Sequence, residues 1–152
     1  LWDTENNYGL GGPGPENPEQ DIEGVKAANW TAITYLDALR FGVSRVYMYQ
    51  WGPYNDLWGI QYNDGAPGAR AMDTLQNWIV GTTYKNCKEK NRKVTCKFRT
   101  STGINQIVYS ETGRKTFKAK KQYKQMCQLD GTCSAIPANG KVRTQGPVLL
   151  KR

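Results

Sequence analysis

Apolar positions along the chain change their spacing several times, and each change marks an element. Residues 1–9 read as a short buried strand that delivers the Glu5 carboxylate and the Asn6 and Asn7 amides into a loop, Gly9-Leu10-Gly11-Gly12-Pro13-Gly14-Pro15, rich in structure breakers. Ile22, Val25, Ala28 or Asn29, Ala32 or Ile33, Leu36 and Leu39 then recur at helical spacing. Glu19, Asp21 and Glu23 stand near the start, where the helix dipole favours acids, and Gly42 stands as the stop. From Val43 to Trp51 the β-branched and aromatic residues of Val43-Ser44-Arg45-Val46-Tyr47-Met48-Tyr49-Gln50-Trp51 predict a second buried strand. After the turn Asn63-Asp64-Gly65, Pro67 is placed to open a second helix with Ala71, Met72, Leu75, Trp78 and Ile79 on its inner face and Gly81 as its stop. Strand, helix, strand, helix is the order a parallel βα layer requires.

From Thr83 onward the pattern becomes short strands broken by turns. The strands are expected at residues 94–98, 105–109, 115–119, 123–127, 141–143 and 147–150, with turns at Ser101-Thr102-Gly103, Thr112-Gly113, Asp130-Gly131 and Asn139-Gly140. Several strands alternate Lys or Arg with apolar residues, so one face can pack while the other carries charge. The predicted fold class is therefore α/β followed by an antiparallel all-β module.

Charge sharpens the division. Residues 1–82 hold four cationic and ten acidic side chains, and residues 83–152 hold 17 cationic side chains against Glu89, Glu111 and Asp130. The expected boundary therefore lies at Gly81-Thr82-Thr83, with domains 1–82 and 83–152. No apolar stretch approaches the roughly 18 residues that suggest a membrane-spanning helix. The chain does not open on a methionine or a signal-like segment, and is expected to be a processed or truncated piece of something longer.

Four cysteines fall as two close pairs, Cys87 with Cys96 and Cys127 with Cys133, and histidine is absent. Without imidazole or a CxxC knuckle, no metal site and no cofactor are expected. The even count and the spacing favour two hairpin-closing disulfides over free thiols, the first across Lys90-Asn91 and the second across Asp130-Gly131. Such bridges place the chain in an oxidising setting, secreted or at the cell surface.

The residues resemble the C-terminal end of a retaining glycoside hydrolase of the large (β/α)8 clan A, in secreted forms with a small β-sandwich after the barrel. Trp2-Asp3-Thr4-Glu5-Asn6-Asn7-Tyr8-Gly9 is similar to strand seven with its nucleophile, and Val46-Tyr47-Met48-Tyr49-Gln50-Trp51 to strand eight. Gly59-Ile60-Gln61-Tyr62-Asn63-Asp64-Gly65 with the helix to Trp78, and the tail from Leu129 to Leu150, extend the likeness over nearly the whole chain. It implies that residues 1–82 are the last two βα units of a barrel and residues 83–152 a basic β-sandwich.

The resemblance implies Glu5 as nucleophile, held in its charged form by neighbouring amides such as Asn6 and Asn7. Trp51 would stack on a sugar face, and Asn6, Tyr8, Tyr49 and Trp58, with Tyr54 as a further candidate, would line the cleft. The family's acid/base glutamate lies on strand four, which this sequence does not contain, so the implied partner is a missing N-terminal barrel portion, possibly a separate chain. Asp56 and Asp64 read as turn residues, and the sequon Asn29-Trp30-Thr31 lies inside a predicted helix, where modification is not expected.

The run Lys115, Lys118, Lys120, Lys121 and Lys124 reads either as a solvated strand face or as a contact for an anionic polymer. A competing reading of the whole follows from the second option: a non-catalytic extracellular structural or binding module with a basic surface.

Overall fold

A computed structural model of the chain describes residues 1–8, 21–49, 51–52 and 58–152. The chain divides into two compact units, Leu1–Asp73 and Thr74–Arg152.

In the first unit, strand β1 (Trp2–Asn6) and strand β2 (Arg45–Met48) form a two-stranded parallel pair, joined through helix α1 (Gly24–Phe41). Parallel neighbours need a crossover, and a helix is the usual one. The pairing is extended at both ends, where the Ser44 amide donates to the Leu1 carbonyl at 2.9 Å and the Tyr49 amide to the Asn6 carbonyl at 2.8 Å. Helix α1 stops at Gly42, whose φ of 74° is the left-handed conformation that glycine adopts without a Cβ clash. Helix α2 (Pro67–Ile79), which continues past the end of the first unit at Asp73, starts at the proline, as expected, and follows a turn at Asn63-Asp64-Gly65 in which the Ala66 amide donates to the Asn63 carbonyl.

Two expectations for this unit are corrected. Both strands were read as buried, yet neither contains a buried residue, and Trp2 and Tyr47 remain 57% and 48% exposed. A two-stranded sheet with a helix crossover leaves two edges and a face without neighbours, so apolar content alone cannot bury it. The inner face of α1 also differs: Val25 is exposed, and the buried side chains are Ala27, Thr31, Ala32, Thr34 and Leu36. The two threonines are buried because hydroxyl groups wait for them, as described below. Glu19 lies outside the described residues, and no acid stands in the first turn of α1.

The second unit is antiparallel throughout. Strands β3 (Thr83–Lys90), β4 (Lys93–Thr100), β5 (Gly103–Ser110), β10 (Val148–Lys151), β7 (Gln125–Cys127) and β8 (Cys133–Ala135) lie side by side in that order, and β6 (Lys115–Lys118) pairs with β9 (Lys141–Thr144). Val108, Val148 and Leu150 of the six-stranded sheet share one core with Phe117 and Val142 of the two-stranded one, closed by Ala119 and Tyr123. Strand β4 shows the expected alternation, with Val94, Cys96 and Phe98 inside, whereas β5 buries Ile107, Val108, Tyr109 and Ser110 in succession.

Strands β3 and β8 were not anticipated. Both are the outer strands of the six-stranded sheet and contain no buried residue, so they lack the apolar alternation that announces a strand. Both disulfides form as expected, Cys87–Cys96 and Cys127–Cys133, and no cysteine is left free. Each joins an outer strand to its neighbour, between residues that lie directly opposite. The first hairpin turns on Asn91 and Arg92 rather than Lys90 and Asn91, with φ of 55° and 61°, the two left-handed residues of a type I′ turn.

Candidate functional site

The candidate site lies where β1 and β2 end. Asn7, directly after β1, has every bonding position of its side-chain amide engaged. Its nitrogen donates to the carbonyls of Tyr49 (2.5 Å) and Ile60 (2.9 Å), and its oxygen accepts from the amides of Ile60 (3.0 Å) and Tyr8 (2.6 Å). A side-chain amide offers two donors and two acceptor positions, and here all are taken by backbone. Asn7 thus ties the end of β1 to the end of β2 and to the segment at Ile60, acting as a substitute for a third strand.

That segment is itself fastened to both neighbours. Trp51 and Tyr62 form an isolated parallel bridge, the Gly52 amide donates to the Tyr62 carbonyl at 2.6 Å, and the Ile22 amide donates to the Gly59 carbonyl at 2.8 Å. Beneath it, Ala27, Ile60 and Tyr62 form a small core with Tyr8, Ile22, Trp30, Met48 and Met72 against it. The Thr31 hydroxyl lies 2.9 Å from the Tyr62 hydroxyl, and the Thr34 hydroxyl donates to the Tyr8 hydroxyl at 2.9 Å. These contacts explain why threonine occupies the inner face of α1: an aliphatic side chain there would deprive the buried Tyr62 phenol and the half-buried Tyr8 phenol of these partners.

Gly68 completes the packing, since a Cβ at that position would meet the Tyr62 ring at 2.9 Å and Ile60 at 3.0 Å. Burial pushes the Tyr62 phenol up to about 12, opposed in part by its hydrogen bond to Thr31. Burial also raises Tyr35.

Glu5 is exposed at the C-terminal end of β1 and, among the described residues, makes no hydrogen bond or ion pair. The expected amide support for its carboxylate is not there. The Asn6 amide donates instead to Asp3 at 2.8 Å, and Asn7 is consumed by backbone. Tyr8 was expected at the cleft but turns inward, its ring centroid 4.8 Å from that of Trp30.

Trp51 stands 57% exposed directly beyond β2, and Tyr49 and Trp58 are half-buried. The loop at residues 9–20 and the candidates Tyr54 and Asp56 lie outside the described residues. Trp2 carries the Arg45 guanidinium 4.3 Å from its ring centre, an exposed cation–π pair between the register partners of β1 and β2. Among the described residues no group of three His, Cys, Asp or Glu side chains is placed to hold a metal ion.

The structural role of Asn7 and of the Thr31 and Thr34 hydroxyls was missed in the sequence reading. The signal for the threonines was present in their i, i+3 spacing on one helical face. Nothing in the sequence marked Asn7 apart from Asn6.

No protein-family model matches the chain, and no curated protein sequence matches it. Among solved structures the chain is similar to a family 39 glycoside hydrolase from the gut symbiont Bacteroides cellulosilyticus WH2, with a TM-score of 0.64 and 15% sequence identity. The likeness covers 83% of this chain and 30% of that one. At this identity it is a likeness of fold alone, shared over most of the chain. The chain spans about 30% of the length of that protein.

Proposed function

We propose that this chain is the C-terminal part of a secreted retaining glycoside hydrolase acting on a polysaccharide or glycoside, with Glu5 as its nucleophile. The acid/base glutamate then belongs to a part of the protein outside this sequence. The observation that carries the reading is the place of Glu5: an exposed carboxylate at the C-terminal end of a parallel strand, within a glycoside-hydrolase-like fold. Barrel enzymes build their chemistry at those strand ends.

In this reading β1 and β2 are the last two strands of the barrel, and residues 83–152 are an appended β-sandwich. Their exposed aromatic and apolar side chains, Trp2, Tyr47 and Leu1, are then groups that further strands would cover. The two disulfides and the lack, among the described residues, of a helix long and apolar enough to cross a membrane are compatible with an extracellular setting.

The chemistry assigns Glu5 one bond. Its ionised carboxylate attacks the anomeric carbon while the acid/base group, about 5 to 5.5 Å away, protonates the departing glycosidic oxygen. The same group then takes a proton from water, whose oxygen displaces Glu5 from the covalent glycosyl-enzyme and restores the carboxylate. An exposed Glu5 that makes no hydrogen bond among the described residues keeps both oxygens available in this reading. Trp51, exposed beyond the neighbouring strand, offers an apolar face to the sugar ring.

In the complete protein, Glu5→Gln is expected to lower kcat by at least about a thousandfold while leaving sugar affinity within a few-fold, as loss of a transition-state group does. Turnover at the parental rate in that variant would end the assignment.

A further inference from the structure

The second unit contains a groove that the catalytic reading does not use. Its volume is about 460 Å³, and it runs between the segment from Lys118 to Lys124 and the loop from Ile136 to Gly140. Backbone hydrogen bonds fix the two walls at both ends. The Ala119 amide donates to the Gly140 carbonyl at 2.9 Å, and the Ile136 amide to the Lys124 carbonyl at 3.0 Å. Lys118 reaches across to the Asn139 carbonyl at 3.2 Å. A groove tied in this way exists before any ligand arrives, so binding does not have to order it.

Lys118, Lys120, Lys121 and Lys124 line one wall. All four are exposed, and the last three make no side-chain hydrogen bond or ion pair among the described residues. The surrounding sequence does not balance them: residues 112–152 contain ten Lys and Arg and a single acid, Asp130, which accepts from the Thr132 amide and hydroxyl. Four ammonium groups along one preformed wall hold a positive potential with no internal counter-charge.

The lining also discriminates among anionic ligands. Tyr123, the aromatic residue of the groove, is 4% exposed, so no ring is offered for stacking bases, which single-stranded nucleic acid requires. No large exposed apolar side chain stands in the groove, and its concave form does not fit a flat lipid surface.

We infer that this groove binds an acidic polysaccharide, a chain of sugars bearing regularly spaced carboxylates that the four lysines read as charge. The choice of a polysaccharide rests on the glycoside-hydrolase reading; the groove and its charge do not. Bound there, such a chain is held by residues other than those proposed for catalysis, and the second unit serves as an anchoring module for uronate-rich material.

The test is binding of the full chain to polygalacturonate, beside its methyl-esterified form, a single-stranded oligonucleotide and vesicles rich in anionic lipid. Expected is binding to polygalacturonate that weakens steeply with salt, as charge contacts do, and that methyl esterification abolishes. Replacing Lys118, Lys120, Lys121 and Lys124 together by Gln should lower the affinity at least about tenfold. An equal change of charge at Lys85, Lys88, Lys90 and Lys97 should lower it less than about threefold. K120Q/K121Q, which removes two ammonium groups that make no hydrogen bond or ion pair among the described residues, reports the same effect if the fourfold variant does not fold.

Equal losses in the two fourfold variants, equal binding of the esterified polymer, tighter binding of the oligonucleotide or vesicles, or no binding at all would each overturn the inference. Binding by a complete protein that hydrolyses no glycoside would leave the groove standing and remove the catalytic reading instead.

Discussion

The two units of the chain solve the problem of burying apolar surface in opposite ways. The second unit closes on itself: Phe98, Val108, Val148 and Leu150 are almost fully buried, and every cysteine is bonded. The first leaves Leu1, Trp2, Val25, Phe41, Tyr47 and Trp51 exposed, whereas Val80 and Tyr84 are the exposed large apolar side chains of the second. The unit that carries the candidate chemistry is thus the one that combines a small core of Ala27, Ile60 and Tyr62 with hydrogen bonds from a few polar side chains and leaves more large apolar side chains exposed. Sites on such frameworks gain precision from specific bonds such as those of Asn7, and they depend on those bonds more heavily.

This contrast can be broken by substitution. Phe98→Ala, at a site 2% exposed, is expected to cost about 3–5 kcal/mol, while Trp51→Ala should stay within about 0.5 kcal/mol when urea unfolding of the same chain is followed. Comparable losses at the two positions would mean that Trp51 is buried in solution and that the first unit closes after all.

Next in size is Asn7→Ala, which strips four backbone groups of their partner and is expected to cost about 2 kcal/mol. Hydrogen exchange gives the sharper readout. The Ile60 and Tyr8 amides should lose protection while Ile107 and Val108 keep theirs, and loss at all four would show that the units unfold together.

The smallest effect concerns Tyr62. Tyr62→Phe removes one hydrogen bond, worth about 1 kcal/mol at neutral pH. The alkaline limb should change as well. The folded phenol keeps its proton up to about 12, against an ordinary value of 10.0, so between these the unfolded chain has released a proton that the folded chain retains. Raising pH through that window therefore favours unfolding, and the contribution is complete below about pH 10. A flatter stability profile from pH 10 to 12 in Tyr62→Phe, measured by thermal unfolding, is the expected result.

What the sequence revealed follows the same division of forces. Elements with enough apolar residues between clear stop and turn signals were legible as elements: α1 up to Gly42, α2 from Pro67, and strands β4 and β5. Strands β3 and β8 were not, because an outer strand with no buried residue has no pattern to show. At the candidate site, the position of Glu5 at a strand end was legible, but the fate of the amides beside it was not. The carbonyls that claim Asn7 lie 42 and 53 residues away in sequence, and only the folded backbone brings them within bonding distance. The inward turn of Tyr8 is of the same kind, since it is set by Thr34 and Trp30 on a helix whose orientation local spacing does not fix.

The disulfides have a consequence for when the second unit becomes safe to accumulate. Strands β3 and β8 are the two rims of the six-stranded sheet, where unsatisfied backbone groups can recruit a strand from another molecule and start a polymer. Each rim is welded to the strand inside it, through Cys87–Cys96 on one side and Cys127–Cys133 on the other. Before oxidation the rims are held by their ladder hydrogen bonds, with the Tyr84–Phe98 ring contact added at β3, and can peel away more readily, exposing the inner strands β4 and β7 as new templates. Oxidation is therefore the step that commits the sheet to remaining one molecule wide.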